Sequence, residues 1–171
     1  MDLSKAPHTV PVMIEIPACH SPIKYEMDKA SGHLIVDRFL STPMHYPANY
    51  GYVPNTLCDD GDPLDALVIT PYPLHPAVII EARPIAVLMM EDEKGQDEKL
   101  LCVAAPHLTA EYDHIQSHGD IPDTTLKQIT YFFEHYKDHE ANKWVKLGGF
   151  QNLDKTHQVI QQAIALHQAD Q

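Results

Sequence analysis

The chain has 171 residues, 44% of them hydrophobic, enough for one sizeable core and too apolar for a disordered polymer. Twelve Lys and Arg stand against 24 Asp and Glu, a formal net charge of −12, and a field of that sign repels nucleic acid and anionic membranes. An anionic substrate would need metal ions or a local cluster of cations to meet it. No apolar run nears the roughly 18 residues of a bilayer span, and no secretory leader is expected at the start. Cys19, Cys58 and Cys102 form no C-x-x-C and are odd in number, which predicts reduced thiols in a cytoplasmic protein. With no repeat or linker, residues 1–171 read as a single domain.

In chain order, residues 1–9 read as a loose arm. Val10–Ile16 alternates, with Val12, Ile14 and Ile16 on one face and Met13 and Glu15 on the other, a strand pattern. Residues 23–28 alternate as well: Lys24, Glu26 and Asp28 share one side, either a solvated face or a polar site. Gly32 marks a turn, and 33–39, carrying Arg38, completes an expected three-stranded meander. Residues 41–54 are rich in Pro, Tyr and Asn without a period. Tyr46, Tyr50 and Tyr52 there suit packing, or hydroxyls offered to a ligand.

Asp60, Asp62 and Asp65 crowd together in D-G-D-P-L-D. Carboxylates this close repel, and hard divalent cations such as Mg²⁺ prefer oxygen ligands. Gly61 allows a tight backbone, Pro63 fixes its φ, and 64–69 reads as the buried strand that anchors the loop. The alternative is a solvated acidic turn. Prolines at 71, 73, 76 and 84 rule out helix; 78–82 and 85–90 read as two strands. The charged run 91–99 reads as a hairpin tip around Gly95, either solvated or a second bank of ligands through Asp92 and Asp97. Residues 100–104 form the return strand. Residues 111–117 read as a short helix. Residues 122–139 read as a longer one, capped by Asp120 or Asp123, with Leu126, Ile129, Phe133 and Tyr136 on one stripe. Leu153–Ala169 repeats the helical pattern. Strands followed by helices predict an α+β, mainly β chain: a small barrel or strongly curved sheet with α-helices packed outside. His135 and His139, four apart, read as an exposed or subunit-facing pair or as a Zn²⁺ pair.

The loop D-G-D-P-L-D-A at 60–66 resembles the signature of the family I soluble inorganic pyrophosphatases. So do I-E-I-P at 14–17, P-I-K-Y-E at 22–26, V-D-R-F at 36–39, Y-P-A-N-Y-G-Y at 46–52, D-E-x-G-x-D-x-K at 92–99 and F-F-E-H-Y-K at 132–137. The likeness runs from about residue 10 to 150, at the length of the compact bacterial form. It implies an OB-like five-stranded β-barrel, and hydrolysis of pyrophosphate to two phosphates by a metal-activated water. It also implies several Mg²⁺ per subunit, with Mn²⁺ or Zn²⁺ as substitutes, and a homohexamer. By the resemblance Asp60, Asp65, Asp92 and Asp97 are metal ligands and Asp62 is the general base. Lys24, Arg38, Tyr50, Tyr136 and Lys137 bind substrate. Glu15, Glu26, Tyr46 and Lys99 line the same site. Ala77 departs from the usual glycine, and Asp59 and Glu91 add acid beside the two ligand banks.

Three rivals fit less well. An EF-hand counted from Asp60 would have Asp65 at its glycine position and Pro71 at its glutamate. An aspartyl phosphatase would place its loop after a parallel strand. An OB-type nucleic-acid binder would be basic.

Overall fold

The computed structural model describes residues 2–170. Among them are nine strands: β1 (Val10–Ile16), β2 (Ile23–Met27), β3 (Leu34–Phe39), β4 (Asn49–Tyr52), β5 (Asp65–Ile69), β6 (Ile79–Asp92), β7 (Gly95–Gln96), β8 (Lys99–Ala104) and β9 (Val145–Gln151). The helices are α1 (Asp123–His135) and α2 (Leu153–Ala169). Strands β1, β4, β5, β8 and β6 pair in that order, and β6 returns to β1, so five strands close a ring. Every pairing in the ring is antiparallel except β5 with β8. This is the OB-like barrel, and closure removes the exposed edges that an open sheet would leave.

The ring closes because two strands break register. In β1, Ile14 faces Gly51 while Ile16 faces Tyr50, so Glu15 is the extra residue of a bulge. In β6 the register shifts between Pro84 and Ala86, leaving Ile85 as the extra residue of a bulge, a place where sheets tolerate proline. One 14-residue strand therefore runs where two were expected; it pairs with β1 at one end and with β9 at the other. Gly51 is required at the β1–β4 crossing, since a Cβ there would lie 1.7 Å from the Met13 carbonyl oxygen.

The core fills the ring. Val10, Val12, Ile14 and Ile16 point inward from β1, and β5, β6 and β8 contribute nearly continuous apolar runs. Helix α2 packs against β6 and α1 against β9. Within α1 the stripe of Ile129 and Phe133 is joined by Phe132, all 1% exposed or less.

Several expectations need correcting. The three-stranded meander does not form, because β2 and β3 make a separate two-stranded sheet. Strands β4 and β9 lie in segments that carried no strand signal. Residues 111–117 are turns, and the helical piece nearby is a 3-10 turn at His118–Asp120. Helix α1 stops at His135, and its N-cap is Pro122 without a side-chain cap bond; Asp120 instead accepts from the N–H groups of Gln116 and Ser117. The arm over 2–9 is not loose: Pro7 is buried, Leu3 and Ala6 pack on the core, and Lys5 Nζ lies 3.2 Å from Glu81 Oε2. Met1 lies outside the described residues. Among the described residues no helix is long and apolar enough to cross a membrane.

Candidate active site

A cavity of about 240 Å³ opens at one end of the ring. The acidic loop supplies its first wall. Gly61 sits at φ 86, a left-handed conformation that glycine adopts freely, and the Asp62 N–H donates to Asp60 Oδ1 at 3.0 Å. Asp65 opens β5, beside Lys99 at the start of β8 in the parallel register. Asp60, Asp62 and Asp65 all line the cavity.

The hairpin at the end of β6 supplies the second wall through Asp92 and Asp97. Lys99 Nζ lies 2.5 Å from Asp65 Oδ2 and also contacts Asp97 Oδ1, joining the two acidic segments. Lys137 Nζ lies 2.8 Å from Asp92 Oδ2. The early end of α1 explains that contact: the chain leaves the helix at Tyr136, and the buried Tyr136 and Lys137 reach the site from the following turn.

The β2–β3 hairpin covers a third side. Its register skips Asp37, so Lys24 and Arg38 face each other as a cross-strand pair. Lys24 Nζ lies 2.9 Å from Glu26 Oε2, and Asp37 Oδ2 touches both Lys24 (3.1 Å) and Arg38 Nη1 (3.2 Å). Arg38 Nε faces Glu140 Oε1 at 3.2 Å, tying the hairpin to the turn beyond α1. Glu15, thrown out of register by its bulge, accepts from the Met27 N–H at 2.7 Å and fastens the hairpin to the barrel.

Tyr50 donates its hydroxyl to Asp65 Oδ2 at 2.6 Å, and both Tyr50 and Tyr136 line the cavity. Tyr46 does not line it. Its ring is buried 4.9 Å from that of Tyr50 and 4.5 Å from that of Phe132, so the packing reading holds there. The remaining expected residues come together in this one cavity. Sequence reasoning passed over Lys29, Glu93, Lys94 and Lys143, which also line it. Lys29 Nζ lies 2.9 Å from Asp62 Oδ1, Lys94 Nζ lies 4.0 Å from Asp62 Oδ2, and Lys143 pairs with Glu93. Glu93 and Lys94 lie inside the charged run 91–99, whereas Lys29 and Lys143 stand 33 and 50 residues from their partners Asp62 and Glu93 and gave no local signal.

The fields follow from these contacts. Burial raises the Glu15 carboxyl to about 7, against the pull of the Met27 N–H. Burial also raises Asp60 and Asp97, in the latter case despite Lys99. Burial would raise Asp92 too, but Lys137 and the Lys94 N–H outweigh it and hold the carboxyl below its ordinary range. For Lys99, burial disfavours the charge, yet Asp65 and Asp97 more than offset it and the ammonium is held firmly. Burial and then Asp60 push the Cys58 thiol to about 12, which disfavours the thiolate that a nucleophile needs. His135 Nδ1 lies 2.7 Å from Asp138 Oδ2 and His139 falls beyond the helix end, so the two histidines share no helical face.

The donor chemistry fits hard divalent cations. Asp60, Asp65, Asp92 and Asp97 offer only oxygen, and two of the four, Asp60 and Asp97, have their carboxyls raised by burial and then by neighbouring carboxylates. Among the described residues no three His, Cys, Asp or Glu side chains are gathered tightly enough to cage an ion by themselves. The lysine ammonium groups stand between them.

Residues 12–168 match the family model described as inorganic pyrophosphatase. An inorganic pyrophosphatase of Agrobacterium fabrum is 56% identical over 158 residues, covering 92% of this chain and 89% of that protein. One of Pseudomonas aeruginosa is 53% identical over 162 residues, covering 95% and 93%. Among solved structures, the inorganic pyrophosphatase of Thermus thermophilus superposes with a TM-score of 0.91 at 43% identity, covering 96% of this chain and 94% of that one.

Proposed function

The chain belongs to the inorganic pyrophosphatase family, and from that premise we propose how its residues carry out metal-dependent hydrolysis of pyrophosphate to two phosphates. The observation that carries the reading is convergence: carboxylates from the two acidic segments face one cavity together with cations from the second of those segments, from the β2–β3 hairpin and from the chain beyond α1. Asp60, Asp65, Asp92 and Asp97 would hold the metal, Mg²⁺ with Mn²⁺ or Zn²⁺ as substitutes, since they offer hard oxygen donors. When bound, such ions screen the phosphoryl oxygens and acidify water.

The chain's own groups do the rest. Water oxygen bonds to one phosphorus, the bridging oxygen leaves with the electron pair, and the Asp62 carboxylate accepts the water's proton. Arg38 grips phosphate oxygens as a planar fork, while Lys24 and Lys137 act as point charges. Tyr50 and Tyr136 donate hydroxyls; burial keeps both phenols protonated, so they serve as donors throughout the working range. Glu15, Glu26 and Lys99 orient these groups. The residues act as one domain. Free thiols at Cys19, Cys58 and Cys102 fit the cytoplasm. Exposed Ile35, Val36 and Phe39 on β3 fit burial between subunits of a homohexamer.

The test is phosphate release. Pyrophosphate with Mg²⁺ should be turned over far faster than nucleotides or phosphate monoesters, and chelation should stop it. Comparable rates on nucleotides, or indifference to chelation, would sink the reading.

A further inference from the structure

Lys99 occupies a place that most lysines avoid. It opens β8 between β5 and β6, its neighbours across the ladder are Asp65 and Leu88, and it is 2% exposed. Burying an ammonium is unfavourable unless close carboxylates compensate. Asp65 and Asp97 do so from two different segments. The reverse also holds: without a cation between them, those carboxylates would repel across a poorly hydrated gap. The ammonium thus supplies the positive charge that a divalent ion would supply to the same oxygens.

A purely structural ion pair has no reason to face a ligand cavity, whereas Lys99 lines this one. Tyr50 donates its hydroxyl to Asp65 Oδ2, so as long as no substrate claims that proton Asp65 keeps its orientation when the lysine lets go. Two cations cannot share these oxygens without repulsion.

From this geometry we infer that Lys99 is a resident stand-in cation: it holds Asp65 and Asp97 in register, and arriving divalent ions displace it toward the phosphoryl oxygens of the substrate. The inference rests on the reading of Asp65 and Asp97 as metal ligands. It makes ion binding and anion binding help each other by the same factor, because each favours the state in which the ammonium has left the carboxylates.

The experiment is thermal unfolding of wild type and Lys99→Met, without substrate, in EDTA and in saturating MgCl₂. In EDTA the variant should melt about 6–20 °C below wild type, the scale of a broken buried pair in a chain of this size. In MgCl₂ the gap should close to within about 3 °C, because the ion does the work of the lost ammonium. A gap of equal size in both buffers would make Lys99 merely structural and overturn the inference, as would no gap in EDTA. Failure of the underlying ligand assignment looks different: Asp65→Asn and Asp97→Asn would gain as much thermal stability from MgCl₂ as wild type. Should Lys99→Met fold in neither buffer, crystal structures of wild type with and without Mg²⁺ decide. Departure of the ammonium from at least one carboxylate supports the inference, and both contacts intact beside a bound ion overturn it.

Discussion

Replacing Glu15 by Gln should remove a pH-dependent loss of stability from the metal-free protein. Glu15 is the bulge residue of β1, 7% exposed, with its Oε1 accepting from the Met27 N–H. Burial lifts its carboxyl from an ordinary 4.5 to about 7, with Asp65 adding to the rise. Between those two values the folded chain keeps a proton that the unfolded chain has released. The group's contribution to stability is therefore complete below 4.5 and is lost as pH rises through about 7. At about 1.4 kcal/mol per pH unit, the loss accumulated between pH 5 and pH 8 is about 2.5 kcal/mol, or about 5–10 °C in Tm. Gln keeps the carbonyl acceptor for Met27 and carries no charge. Denaturant melts of wild type and Glu15→Gln at both pH values, in EDTA, measure the difference. Other titrating carboxylates cancel in the comparison. The variant's advantage should grow by that amount toward pH 8; a constant difference would mean that Glu15 titrates like an exposed carboxylate, and the burial argument would fail.

Asp65→Asn removes a charge shared by Lys99 and Tyr50, and phosphate release should fall at least about 100-fold even at saturating Mg²⁺; a wild-type rate at limiting Mg²⁺ would refute the ligand role. Arg38→Lys loses the fork, so KM for pyrophosphate should rise about 10-fold while the Mg²⁺ midpoint moves less than about 2-fold. Equal losses in both would count against direct phosphate contact. Ala77 sits at φ 63, pinned by hydrogen bonds from its own N–H to the Ile14 carbonyl and from the Ile14 N–H to the Val78 carbonyl. Ala77→Gly should therefore stabilise by about 1 kcal/mol, raising Tm by about 2–4 °C; a lower Tm would show that this turn carries no such strain.

What could be read from the sequence was local. Strands β1 and β5 and helix α2 announce themselves because one face is apolar at the right period, and the acidic loop announces itself because charge is crowded there. Strand β4 does not, because Tyr50 and Gly51 are buried without alternation and Gly51 is present for the backbone crossing alone. Pro84 divided β6 on paper; in the fold the bulge absorbs it. Strand β9 is masked by Gly148 and Gly149. The site divides in the same way. Its carboxylates and the cations inside recognisable motifs were legible, whereas Lys29, Lys94 and Lys143 look like ordinary turn charges until the hairpins are brought together. The end of α1 belongs to this class too. Nothing in the periodicity stops the helix at His135; the burial of Tyr136 and the pull of Asp92 on Lys137 accompany its ending.

The cavity resolves an apparent conflict between the chain's charge and the charge of its substrate. Seven cations line it, against eight carboxylates, in a chain whose formal net charge is −12. Each of the seven is ion-paired: Lys24 and Arg38 with acids of the hairpin, Lys29 and Lys94 with Asp62, Lys99 with Asp65 and Asp97, and Lys137 and Lys143 with Glu93. An excess of unpaired lysines would bind any phosphate monoester or nucleotide in reach. Internal pairing sets a threshold instead. On the ligand roles proposed above, an anion captures these cations only when divalent ions take over the carboxylates, so a metal-complexed diphosphate is favoured over either component alone. The same pairing explains why the near-neutral mouth needs no long-range attraction from the rest of the surface: the charges that matter act over a few ångströms, well inside the roughly 8 Å over which physiological salt screens.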